Sequence, residues 1–109
     1  MIFGASKMKD DQTQNTGQLY FRLCSDHLSI EAIPKTSIRI NFQKMREQSV
    51  ENHELVMWTP HFVILKNQSG QEITLRPDGR MVVRKSTSEA VARQSAAEML
   101  AFVLKSFVL

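Results

Sequence analysis

A single cysteine, Cys24, leaves this chain of 109 residues no internal disulfide framework and points to a reducing compartment, cytoplasmic or nuclear. Apolar runs are short. Nothing approaches the roughly 20 apolar residues needed to cross a bilayer, so no membrane partner is expected. The first stretch, "MIFGASKMKDDQTQNTGQ", offers only Met1, Ile2 and Phe3 before it turns polar, and so lacks the core of a secretory signal. Charge of one sign is scarce too: 14 basic against 11 acidic residues give a net charge of +3, well short of the clustered basicity that announces a nucleic-acid binder. Aromatics are few, at 7% of the residues, with one tryptophan and one tyrosine among them.

The chemistry of catalysis is thin as well. The three histidines, His27, His53 and His61, stand at no metal-ligand spacing, and no Gly-rich phosphate loop or paired-carboxylate constellation accompanies them. "CSDH" at Cys24 to His27 raises the thought of a nucleophile. On a strand, however, Cys24 and Asp26 share one face while His27 takes the other, which separates thiol from base. No catalytic residue, no metal, no cofactor and no small-molecule substrate are expected.

What remains, at 42% hydrophobic and 23% charged residues, is the composition of a folded domain. Residues 1 to 17 read as a disordered tail and residues 18 to 109 as one interaction domain. Alternation starts at "QLYFRLC", with Leu19, Phe21 and Leu23 on one side and Tyr20, Arg22 and Cys24 on the other. "HLSIEAIP" continues it as far as Pro34. "SIRINFQ" alternates most cleanly of all, predicting a strand that leads into a short helix through "QKMREQ". "ELVMWTP" and "HFVILKN" are almost continuously apolar, which predicts cover on both faces. "EITLRP" and "RMVVRKS" flank "PDG", where Pro77 and Gly79 favour a tight turn; Gly70 in "NQSGQ" marks another.

The C-terminal segment carries the period of a helix. Ser86, with Glu89 three residues on, predicts a capping box, and Ala92, Ala96, Met99, Val103 and Phe107 form an apolar stripe. The expected fold is a two-layer α+β domain: an antiparallel meander of about five to seven strands with a C-terminal amphipathic helix on one face.

The ending "RPDGRMVVRKSTSEAVARQSAAEMLAFVLKSF" resembles the end of one half-repeat of the TATA-box-binding protein family, at Gly79, Arg80, Met81, Val82, Ser88, Glu89, Arg93 and Ala96. The same ending is similar to the tail of certain bacterial adenylyltransferases of the ThiF/MoeB type. That second likeness implies an accessory domain positioning a nucleotide-binding partner. The TATA-box-binding family kinks DNA with phenylalanine wedges; the wedge position is Arg76 here, so bending is not implied. By topology alone the polo box, a six-stranded sheet followed by a helix, is a further likeness.

Two surfaces follow as candidates. Phe102, Leu104, Phe107 and Val108 exceed what one small sheet can cover, which predicts a protein partner or a homodimer through the helix, with a free sheet edge as the other docking mode. Strand parity also places Tyr20, Arg22, Arg39, Arg76 and Arg84 opposite the helix, an arginine-bearing face to which nucleic acid is the alternative partner.

Overall fold

The computed structural model describes residues 17–24 and 29–109. The expected tail, all but its last residue, and the Asp26–His27 part of "CSDH" lie outside the described residues. Eight elements succeed one another: β1 (Leu19–Leu23), β2 (Ile30–Pro34), α1 (Phe42–Glu47), β3 (His53–Trp58), β4 (Val63–Asn67), β5 (Glu72–Leu75), β6 (Met81–Arg84) and α2 (Glu89–Ser106). The six strands make one antiparallel sheet in the order β1-β2-β6-β5-β4-β3, and α2 packs against β6 and β2. This is the two-layer α+β architecture, with β3 to β6 a run of hairpins and the β1–β2 hairpin added beyond β6.

Turn chemistry sets the hairpins. Gly70 and Gly79 take positive φ, 87° and 91°, where a Cβ would be strained. Around the second turn Glu72 to Leu75 pair with Met81 to Arg84 in reverse order. The buried face collects Leu19, Ile30, Ala32, Val63, Leu65, Ile73, Leu75, Met81 and Val83 from alternate strand positions. Against them α2 turns Ala92, Ala96, Met99, Val103 and Phe107, every residue of the anticipated stripe, each at most 4% exposed. Alanines at the helix start let its backbone sit close to the sheet.

Four expectations need correction. The helix is capped by Ser88, whose hydroxyl accepts the Val91 N–H, not by Ser86. Ser86 Oγ instead accepts from the buried side chain of Gln71 at 2.6 Å. That amide holds a polar network in which Ser95 and Asn67 both donate to Gln71 Oε1, fastening the β4–β5 hairpin to α2. Paired in this way, buried amides cost little.

"SIRINFQ" is not a sheet strand. Residues 37–39 are irregular, Ile40 makes one isolated bridge to Val108, and Asn41 caps α1 by accepting the Lys44 N–H at 3.0 Å. Ile40 and Phe42 do point inward and Ile38 packs against the core, which is why the pattern alternates. But Phe42 and Met45 are also three apart, the spacing of a helix face, and both are buried. The segment carries the chain from β2, inside the sheet, to β3 at the far edge.

"ELVMW" is not covered on both faces. It forms the edge strand β3, with Leu55, Val56 and Met57 37%, 49% and 48% exposed. Leu23, expected inward, is also exposed at the end of the opposite edge, 49% accessible.

Candidate functional site

The fold redistributes the residues of both expected surfaces. Along the helix, Phe107 is buried and donates its backbone N–H to the Val103 carbonyl, closing α2. Phe102 packs against the core and meets the His53 ring edge-on, 5.6 Å between centroids. Val108 bridges to Ile40 through its backbone while its side chain stays 43% exposed. Leu104 is 43% exposed as well, and Leu109 beside Val108 is 69% exposed. The last residues fold back on the segment before α1 through their backbone: the Asn41 N–H donates to Phe107 O, and the Leu109 N–H to Arg39 O.

The open sheet face carries Tyr20 and Arg22 on β1 and Arg84 on β6, as parity requires. Their charges are matched by neighbouring strands. Arg22 donates to Glu31 on β2 through Nε at 3.1 Å and through its terminal nitrogen. Arg84 and Lys85 both donate to Glu72 on β5, each at 3.0 Å. The Glu31 hydrogen bond and charge raise the Arg22 pKa beyond its already high range. The hydrogen bonds from Lys85 and then Arg84 hold Glu72 below the usual carboxylate range. These cross-strand pairs make a balanced, solvated face.

Arg39 does not lie on that face. It sits in the irregular segment before α1, whose Ile40 N–H donates to Pro77 O at 2.8 Å. Arg39 is thereby brought beside the β5–β6 turn, at one end of the sheet instead of across it.

A free sheet edge is expected from the sequence, but its place at the outer side of β3 is not. Leu55, Val56 and Met57 are consecutive and exposed, and among the described residues no strand lies beyond them. A register shift between Leu55 and Met57 makes a bulge, which interrupts the alternation that would have assigned these residues to faces. At one end of the segment stands Glu54, exposed. At the other, Trp58 donates Nε1–H to the Phe42 carbonyl at 2.9 Å and carries the Arg46 guanidinium 4.8 Å from its ring centre. The available signal was the apolar run itself, which burial on both sides and an uncovered edge explain equally well.

Cys24 is half-buried. His61 is exposed in the β3–β4 connection, and His53 binds the Glu51 carbonyl through Nδ1 at 2.7 Å. Among the described residues no group of three His, Cys, Asp or Glu side chains is placed to hold a metal ion, and no helix is long and apolar enough to cross a membrane. Comparison with protein-family models, with curated proteins and with solved structures gives no match.

Proposed function

We propose that this chain is a non-catalytic interaction module that associates with a second copy of itself through the outer side of β3. The observation that carries the reading is the exposure of Leu55, Val56 and Met57 on a strand with no neighbour beyond it among the described residues. Three adjacent large apolar side chains at an edge invite either aggregation or specific contact. The bulge at Val56 breaks the ladder that an added strand would extend, so the copies meet through side chains and not as a continued sheet.

Charge placement favours an antiparallel, two-fold arrangement. Glu54 precedes the apolar segment and Arg46, over Trp58, follows it. A two-fold axis near Val56 sets Glu54 of each copy against Arg46 of the other, twice, as an isologous contact requires. Standard interfaces bury about 1,600 Å² in total, and a patch of this size falls short, so the dimer is weak and reversible.

Sedimentation velocity over a wide concentration range tests the reading. The wild-type chain shifts from monomer towards dimer, Val56→Asp stays monomeric, and Glu54→Arg or Arg46→Glu each weakens association. The double exchange restores it. A wild-type chain that remains monomeric at the highest concentration overturns the reading.

A further inference from the structure

The charge of the molecule is concentrated at one end of the sheet. Lys35 follows β2, Arg80 precedes β6, Arg76 follows β5, and Arg39 is tied beside the same turn by the Ile40–Pro77 hydrogen bond of 2.8 Å. All four are exposed. Asp78 is the acidic residue of this end, 3.4 Å from Arg80 Nε. Of the 12 basic and 8 acidic residues among those described, four and one stand here, which leaves eight and seven among the other described residues. Three of the four net positive charges of the described residues therefore stand at this corner.

Elsewhere on the sheet Arg22 and Arg84 are answered by carboxylates on the next strand, Glu31 and Glu72. At the corner Arg80 is answered by Asp78 of its own turn. Neither Arg39 nor Arg76 makes an ion pair or a side-chain hydrogen bond among the described residues. The backbone keeps the group together: Arg76 donates its N–H to Arg80 O at 2.8 Å, and the turn between them is locked at Gly79. Four like charges held in proximity repel one another, and an anion spanning them removes that cost.

An aromatic ring adjoins the cations. Tyr20 on β1 is 61% exposed on the open face, opposite Ile33 on β2, with Lys35 Nζ 5.0 Å from its ring centre. Tyr20, Lys35, Arg80 and Arg76 thus fall on four successive strand ends, β1, β2, β6 and β5. With strands about 4.8 Å apart, they form a row about 14 Å long. A row of point charges beside an exposed ring suits a chain of phosphates carrying flat, unstacked bases.

We infer that this corner binds the phosphodiester backbone of single-stranded nucleic acid, with Lys35, Arg39, Arg76 and Arg80 on the phosphates and Tyr20 stacking a base. The site is separate from β3, at the other side of the sheet, and the two can be tested apart. Duplex ends offer no free base to Tyr20 and bind more weakly than single strands.

Fluorescence anisotropy with a labelled oligothymidylate measures this directly. Four phosphate contacts on a single strand predict about a fifty-fold loss of affinity between about 50 and about 200 mM salt, and Arg39→Gln with Arg76→Gln reduces that loss to about sevenfold. Tyr20→Ala weakens binding about tenfold, whereas Tyr20→Phe does not. Arg39 and Arg76 are exposed and make no side-chain hydrogen bond or ion pair among the described residues, so their replacement leaves the fold intact, checked by Trp58 fluorescence and circular dichroism. Arg22→Gln, away from the corner, leaves binding unchanged. The inference is overturned by negligible binding at low salt, by an unaltered salt dependence in the double variant, by equal loss in Arg22→Gln, or by tighter binding of a duplex. Inorganic polyphosphate competing as strongly as the oligonucleotide, with Tyr20→Ala without effect, overturns it equally.

Discussion

Gly79 lies directly under the Ile38 side chain: a Cβ built on it would stand 2.5 Å from Ile38 Cδ1 and 2.8 Å from Pro34 Cγ. The glycine does two things at once. Its φ of 91° closes the β5–β6 turn, and its missing side chain lets the 34–38 segment lie across that turn. Gly70, with φ 87°, closes its own turn with nothing near. Gly70→Ala therefore incurs backbone strain alone, about 1 kcal/mol. Gly79→Ala adds a clash with a proline ring, and is expected to cost about 3 kcal/mol. Urea denaturation of the two variants checks the difference, which disappears only if the 34–38 segment can move without loss.

Asn41 offers a test of the crossover. Its side chain accepts the Lys44 N–H at 3.0 Å and starts a helix of only six residues, too short to persist on its own. Asn41→Ala is expected to cost about 1 kcal/mol, or about 5 °C in Tm. Because the Phe42 carbonyl accepts Trp58 Nε1–H, tryptophan emission should also shift. Unchanged emission with a lowered Tm would separate the cap from the Trp58 contact.

The elements legible in the sequence are those specified by neighbours in the chain. The "PDG" turn, the Gly70 turn and the five-residue stripe of α2 each depend on local backbone preference or on a period of three to four. All three stand where the sequence places them. What escaped depends on partners distant in the sequence. Ile38, Ile40 and Phe42 alternate and do point inward, yet the backbone groups of Arg39, Ile40 and Asn41 are answered by Leu109, Pro77 and Phe107, which no local pattern names. Likewise "LVMW" is apolar whether a strand lies beside it or not, and strand order alone decides that. The arginines were sorted correctly at Arg22 and Arg84, but their glutamate partners belong to neighbouring strands, so the neutralised face was invisible until register was known.

The two candidate positions late in α2 can be told apart by truncation. Phe102 is half-buried, packed on the core and on His53, whereas Leu104 is 43% exposed. Phe102→Ala should cost about 2 kcal/mol, less than the loss at a fully buried ring. Leu104→Ala should change stability by no more than about 0.5 kcal/mol. If this helix surface instead served self-association, Leu104→Ala would lower the dimer fraction without changing unfolding of the monomer. Denaturation and sedimentation on one preparation read both quantities.

Glu72 supplies a pH dependence of defined sign. Its carboxylate accepts hydrogen bonds from Lys85 and Arg84, which lower its pKa in the folded chain below the ordinary value. A depressed folded value means that the contribution is fully present above the unfolded pKa and is lost as pH falls through the folded one. Stability of the wild type should thus exceed that of Glu72→Gln at neutral pH, and the gap should narrow once pH drops below the usual carboxylate range. The pair is exposed to solvent, so raising salt should narrow the gap as well. Lys85 holds a left-handed backbone, φ 63°, and Lys85→Gly removes one of the two hydrogen-bond donors while relieving that strain. In the Lys85→Gly background the pH-dependent part of the Glu72→Gln effect should shrink and shift towards the ordinary carboxylate range, leaving Arg84 as the residual partner. Thermal unfolding of the four chains from pH 2 to pH 7 measures this, and a gap that widens on acidification would assign the lowered pKa to something other than the Lys85 and Arg84 contacts.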